Sequence, residues 1–209
     1  GYIYAENGAS VSLENVVIES ESLSVFAYTG GTLTLKNVDL SITSTSNPVQ
    51  NYGGTLVLED VTASQAGDAT TAWYSSAIQV INQIVYDSVA GKWQVVSQAN
   101  TIIESGSYTG KKAVMISGGN VTINGGTFEG SEAVIQADFA PQNYLDGSNY
   151  ESVITINGGD FTGTVKASKA AKIYINGGNF DGNFDVFAGF IDRILFYTDR
   201  RSRLKCGAK

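Results

Sequence analysis

Histidine is absent from the chain, arginine does not occur before Arg193, and the only cysteine is Cys206. Without imidazole, Ser-His-Asp and Cys-His catalysis and every histidine-ligated metal site are excluded. A lone thiol excludes an internal disulfide framework and leaves the compartment undetermined. Proline is scarce as well, 2 residues against 24 glycines in 209; a glycine excess without proline or a three-residue period calls for tight backbone positions, not for collagen. No stretch approaches the roughly 18 consecutive apolar residues of a spanning helix, so no membrane insertion is expected within these residues. Helical periodicity over the length a helix needs is missing too.

Positive charge is scarce over most of the chain. Residues 1–190 carry 18 acidic and 7 basic side chains, net −11, whereas residues 191–209 carry 2 acidic and 6 basic, net +4. An acidic body disfavours nucleic acid as a partner, because phosphate neutralisation needs clustered Lys and Arg. The opening Gly1-Tyr2-Ile3-Tyr4 lacks signal-like flanks and reads as already extended chain, so a fragment or processed product is expected, with any leader or anchor outside it.

Repetition is what the sequence has in abundance. Val121-Thr122-Ile123-Asn124-Gly125-Gly126-Thr127-Phe128 recurs as Ile154-Thr155-Ile156-Asn157-Gly158-Gly159-Asp160-Phe161 and as Ile173-Tyr174-Ile175-Asn176-Gly177-Gly178-Asn179-Phe180. Weaker copies begin at Val11, Leu33, Leu56 and Thr101. Anchored on the third residue, the copies fall at Leu13, Leu35, Leu58, Ile103, Ile123, Ile156 and Ile175, with steps of 22, 23, 45, 20, 33 and 19. A period near 20 residues is that of a solenoid. On this reading the step of 45 is two coils, one of them degenerate with Ile78-Gln79-Val80 as its strand, and the step of 33 is one coil with an insertion.

Within each copy two apolar residues flank one other residue, as in Leu33/Leu35 and Ile154/Ile156, so both enter the same face of a strand. Two positions after the anchor stand Asn15, Asn37, Asp60, Ser105, Gly125, Gly158 and Gly177, types that tolerate positive φ and mark a corner. Five positions after it stand Ile18, Leu40, Ala63, Tyr108, Phe128, Phe161 and Phe180. Val16, Val38 and Val61 of the early copies give way to Gly106, Gly126, Gly159 and Gly178, which predicts a stack of aromatic rings in the C-terminal half.

The fold class expected is therefore all-β, a right-handed parallel β-helix of about 7–9 coils of about 19–23 residues. It occupies residues 1–190, with a hairpin insertion near 66–98 and a loop insertion near 138–151. Gln83 to Asp87 and Lys92 to Val96 are the expected arms of the hairpin. Residues 191–209 are a terminal coil, a cap or an irregular basic tail, or follow a cut through a longer solenoid.

Solenoid insertions tend to lie on the binding face. Trp73, Tyr74, Tyr86, Trp93, Tyr144 and Tyr150 all sit in the interruptions, and flat rings of this kind stack on sugar faces; the alternative is that they pack the insertions onto the coil body. Asp138 and Asp146 are the carboxylates for glycoside hydrolysis if the chain is an enzyme, since that chemistry needs two carboxyls about 5 to 9 Å apart. Asp160 and Asp181 are further carboxylates of this kind, but their repeat equivalents include the neutral Thr127, Asn179 and Thr162. No cofactor is expected; the scattered acids offer nothing that specifies calcium.

The Ile-Asn-Gly-Gly-Thr-Phe repeat resembles the pectate-lyase-like right-handed β-helices of bacterial secreted and cell-surface proteins, particularly long adhesin-like chains, over residues 9–183. The resemblance implies an extracellular or cell-surface scaffold that extends or displays, with glycans or host and cell-surface proteins as partners and end-to-end or side association open. Polysaccharide lyases, glycoside hydrolases of the β-helix type and phage tail spikes share that fold and remain as alternatives. The calcium-binding acids and catalytic arginine of the lyase members find no match, which leaves the enzyme assignment leaning to no.

Overall fold

The computed structural model describes residues 1–43, 46–66, 75–137, 151–167, 171–186 and 195–196. Among these residues the regular structure is all strand, with no helix. The chain opens with β1 (Tyr2–Ala5), β2 (Ser10–Ser20), β3 (Ser24–Tyr28), β4 (Thr32–Ile42), β5 (Val49–Tyr52), β6 (Thr55–Gln65) and β7 (Ser76–Ile81). A separate pair, β8 (Gln83–Asp87) and β9 (Lys92–Ser97), precedes β10 (Asn100–Ile103), β11 (Gly106–Ser117), β12 (Gly119–Ile123) and β13 (Thr127–Ala137). The remainder are β14 (Ser152–Ile156), β15 (Asp160–Thr162), β16 (Val165–Ala167), β17 (Ala171–Ile175), β18 (Asn179–Asp181), β19 (Phe184–Val186) and β20 (Leu195–Phe196).

All but β8 and β9 belong to one large sheet network whose strand pairings are parallel. Three ladders make it up. One runs through β1, β3, β5 and β7 to the ends of β11 and β13, then β16 and β19. Another joins the first halves of β2, β4 and β6 to β10, β12, β14, β17 and β20. The last joins the second halves of β2, β4 and β6 to the starts of β11 and β13, then β15 and β18. Side chains from all three meet in a single apolar cluster. Strands buried in this way satisfy their backbone groups within the ladders, which parallel pairing requires.

The repeat columns lie opposite one another. Leu13 faces Leu35, Leu35 faces Leu58, Leu58 faces Ile103, and the line continues through Ile123, Ile156 and Ile175 to Phe196. The direct pairing of Leu58 with Ile103 corrects the reading of the 45-residue step: it is one repeat, not two. Ile78-Gln79-Val80 lies between Leu58 and Ile103, on the ladder of β5 and the end of β11, and the β8–β9 hairpin supplies most of the added length. The spacing alone does not separate a second coil from a hairpin inserted into one.

The predicted aromatic stack is present. Tyr108, Phe128, Phe161 and Phe180 are buried, with successive ring centroids 5.0, 4.8 and 4.6 Å apart and interplanar angles of 18°, 6° and 8°. The Tyr108 hydroxyl escapes burial without a partner by donating to the Ser105 carbonyl at 2.9 Å. Ring spacing follows strand spacing, since neighbouring strands lie ~4.8 Å apart.

The corner differs from expectation in one respect. Asn15, Asn37 and Asp60 adopt φ of 57°, 50° and 53°, as their column predicts, but in the later repeats the positive φ moves one residue on, to Gly106, Gly126, Gly159 and Gly178, at 107° to 129°. A Cβ on Gly126 would stand 3.0 Å from the Gly106 carbonyl oxygen and 3.4 Å from the Phe128 ring. Glycine is needed there because φ is positive and the carbonyl oxygen of the preceding repeat stands where a Cβ would go.

Candidate functional site

Along β1, β3 and β5 the inward residues Ala5, Val25, Ala27 and Val49 are fully buried. Strand alternation therefore sends Tyr2, Tyr4, Phe26, Tyr28 and Tyr52 to the opposite face. Register places Tyr4 beside Phe26 and Tyr28 beside Tyr52, so the rings form a strip across three strands. Tyr2 meets Phe26 edge to face at 5.4 Å and 67°, and Tyr52 lies 6.0 Å from Phe26 and 6.2 Å from Tyr28. Tyr2, Tyr4 and Tyr28 remain 70%, 56% and 37% exposed. Together with Phe26 and Glu6 they line a groove of about 260 Å³.

The inner end of the strip is held by a polar network. The Tyr52 hydroxyl donates to Gln79 Oε1 at 3.2 Å, the oxygen to which Asn47 Nδ2 donates at 2.7 Å. Asn47 Oδ1 accepts from the Ser76 backbone N–H at 2.9 Å, and its carbonyl accepts from Ser24 Oγ at 2.7 Å. Asn47, Ser76 and Gln79 are buried, so the platform under the aromatic strip is fixed by bonds that cross from β3 to β7.

The aromatic residues expected from the sequence fall elsewhere. Tyr86 and Trp93 face each other across the hairpin, ring centroids 5.5 Å apart at 61°, with Tyr86 half exposed. The turn between them is tied by Asp87, whose Oδ1 accepts the Val89 and Ala90 N–H groups at 2.9 Å each. Trp73, Tyr74, Tyr144, Tyr150, Asp138 and Asp146 lie outside the described residues. The strip on β1, β3 and β5 was missed, though it was visible as Tyr2/Tyr4, Phe26/Tyr28 and Tyr52, apolar rings at alternate positions repeating at 22 and 24 residues.

Two polar features complete the surface. Asn124, Asn157 and Asn176 form an amide ladder, each Nδ2 donating to the preceding residue of the series at 2.8 to 2.9 Å, with Glu104 at its start. It borders a polar groove of about 600 Å³ that includes Asp160 and Asn179, whose Nδ2 donates to Asp160 at 2.8 Å. The ladder neighbours of Asp160 are Thr127 and Asn179, and that of Asp181 is Thr162, so neither acid faces a second carboxylate across its strand pair.

Elsewhere, Glu132 gathers three lysines, with Lys166, Lys112 and Lys111 nitrogens at 3.4, 3.7 and 4.0 Å. Burial pushes the Lys112 ammonium below its ordinary range, outweighing the attraction of Glu132. Burial acts to raise the Glu132 carboxyl, but Lys112, Lys166 and Lys111 together hold it below the usual carboxylate range. This is a structural pin, since the Lys112 side chain is only 1% exposed.

Among the described residues no group of three or more His, Cys, Asp or Glu is placed to hold a metal ion. No helix among them is long and apolar enough to cross a membrane, a statement that does not extend to strands. No family model, curated protein or solved structure matches the chain.

Proposed function

We propose that the three ladders are the successive sides of a right-handed parallel β-helix, and that the chain is an extracellular or bacterial cell-surface scaffold module that contacts glycans. The direct opposition of residues one repeat apart supports the solenoid, because stacked repeats are what bring Leu13 through Ile175 into one line. Right-handedness follows from the strong preference of parallel crossover connections for that hand.

The observation that carries the glycan reading is the exposed aromatic groove of Tyr2, Tyr4, Phe26 and Tyr28 on a chain of net negative charge. Exposed rings fixed on a rigid sheet offer apolar contact to the C–H faces of pyranose rings at little entropic cost. The Tyr86–Trp93 pair on the hairpin is a second, smaller platform of the same chemistry.

A glycan array probed with the wild-type chain, with Tyr4→Ala/Tyr28→Ala and with Tyr86→Ala/Trp93→Ala tests this directly. Loss of two ring contacts is worth about 1–3 kcal/mol, roughly 5- to 150-fold in affinity. The first double variant is expected to show that loss and the second a smaller one. Wild-type protein that binds no glycan at high concentration would reduce the module to a spacer.

A further inference from the structure

Resting on the reading that the β1–β3 groove binds glycan, we infer that it selects an organic ammonium group, so that the favoured glycan is one bearing free amines. Four of the five lining residues are aromatic and the fifth is Glu6, a carboxylate at the rim. Tyr2 and Phe26 meet at 67°, so their faces form two walls at a steep angle instead of one flat platform. One ring face is enough to hold a sugar by its C–H face, whereas a compact cation gains from several ring faces around it, each presenting the negative side of its quadrupole.

The charge environment points the same way. Residues 1–35 contain Glu6, Glu14, Glu19 and Glu21 and no lysine or arginine. The first cationic side chain along the sequence, Lys36, is engaged with Glu59 at 2.9 Å. Among the described residues no basic side chain lines the groove, so a uronate or sulfated sugar would meet Glu6 with like charge, whereas an ammonium gains both the carboxylate and the rings. An acetylated amine keeps the size of the substituent but loses its charge, which makes acetylation the sharpest discriminator.

Calorimetric titration of the full chain with oligomers of glucosamine, N-acetylglucosamine and galacturonate, below the pH at which glucosamine loses its proton, tests the inference. The amine oligomer is expected to bind roughly ten-fold tighter than its acetylated counterpart, and tetramethylammonium to compete with it. Glu6→Gln and Tyr4→Ala should each remove that preference, while Glu14→Gln, the same charge change outside the groove, should leave it intact. Equal or tighter binding of the acetylated or uronate oligomer would overturn the ammonium assignment and leave the glycan reading standing. Equal loss in Glu14→Gln would overturn it in favour of general attraction to an acidic body, and binding of phosphatidylcholine vesicles without binding of the amine oligomer would overturn it in favour of a lipid headgroup. No binding of any oligomer would defeat both readings.

Discussion

Removing the ring of Phe161 tests the interior of this protein most directly. The ring lies between Phe128 and Phe180, 4.8 and 4.6 Å away and within 8° of parallel to each, at 1% exposure. The slot is shaped by Gly159 and Gly178, on either of which a Cβ would come within 3.3 Å of the Phe161 ring. Neither neighbour can move in to fill a vacancy, because strand pairing on both sides fixes the backbone spacing. Phe161→Ala should therefore sit in the usual range for losing a buried phenylalanine, about 3–5 kcal/mol, with little relief by collapse. Of this, about 1–3 kcal/mol belongs to the two ring contacts, at 0.5–1.5 each. Phe161→Leu, which keeps much of the apolar volume and loses both stacked contacts, should cost roughly that smaller amount. Urea unfolding followed by far-UV ellipticity gives the magnitude, and hydrogen exchange locates it. Because stacked repeats interact chiefly with their neighbours, protection should fall in β14, β15, β17 and β18 and persist in β4 and β6. A cost below about 1 kcal/mol for the alanine variant would refute the argument that a continuous ring stack replaces the paired aliphatics of the early repeats.

Two other perturbations have definite outcomes. Glu132→Gln removes the carboxylate at which Lys111, Lys112 and Lys166 converge and should cost about 2–3 kcal/mol, less than the 3–5 of a fully buried pair because Glu132 is partly solvated, whereas Lys112→Met leaves Glu132 with Lys111 and Lys166 and should cost less. Chemical denaturation of the two variants decides between them. Since the Glu132 carboxyl is held below its usual range, its contribution is present above the unfolded value of about 4.3 and is lost as pH falls through the folded one; Lys112, held low by burial, instead adds stability as pH rises from its folded value toward about 10.4. Replacing residues 84–96 with a short Gly-Ser turn should leave the ladders intact and lower the thermal midpoint by only a few degrees, because Leu58 already pairs with Ile103 across the insertion. Unfolding of that deletion variant at room temperature would show that the hairpin holds the repeat together.

The interior was legible in the sequence and the functional face was not, for a physical reason. Inward positions obey a packing constraint that repeats with the strands, so Leu13, Leu35 and Leu58, or Phe128, Phe161 and Phe180, advertise their column by chemical likeness alone. Positions off the core repeat only where neighbouring side chains bond one another, as Asn124, Asn157 and Asn176 do. The column through Tyr4 runs on as Phe26, Gln50, Gln79, Met115, Gln136, Lys166 and Asp185, aromatic at one end, rich in glutamine in the middle and charged at the other, so no single residue type marks it. The rings that the structure assembles into a groove come from regular strands at one end of a ladder, not from the insertions. The error over the 45-residue step has a related origin: period counting assumes constant coil length, and register shows which residues face each other regardless of what is inserted between them.

That contrast bears on how a chain like this acquires a binding site. Strand spacing sets side chains on one outward face ~4.8 Å apart in one direction and, at alternate positions along the strand, ~6.7 Å apart in the other. Any two-residue pattern on two neighbouring strands therefore defines a grid at the scale of one small organic group, without a cavity having to be carved into the core. Tyr2, Tyr4, Phe26 and Tyr28 are such a grid, and exchanging them would leave Ala5, Val25 and Ala27 beneath them undisturbed. On the proposed reading the face can change its ligand while the interior stays the same, so Tyr4→Ala should alter binding with a stability shift within about 0.5 kcal/mol, the range for surface positions. Tyr28→Ala also loses its ring contact with Tyr52 and should cost about 0.5–1.5 kcal/mol. A large loss of stability in Tyr4→Ala would mean that the rings hold the first strands together, and the groove would then be a by-product of packing.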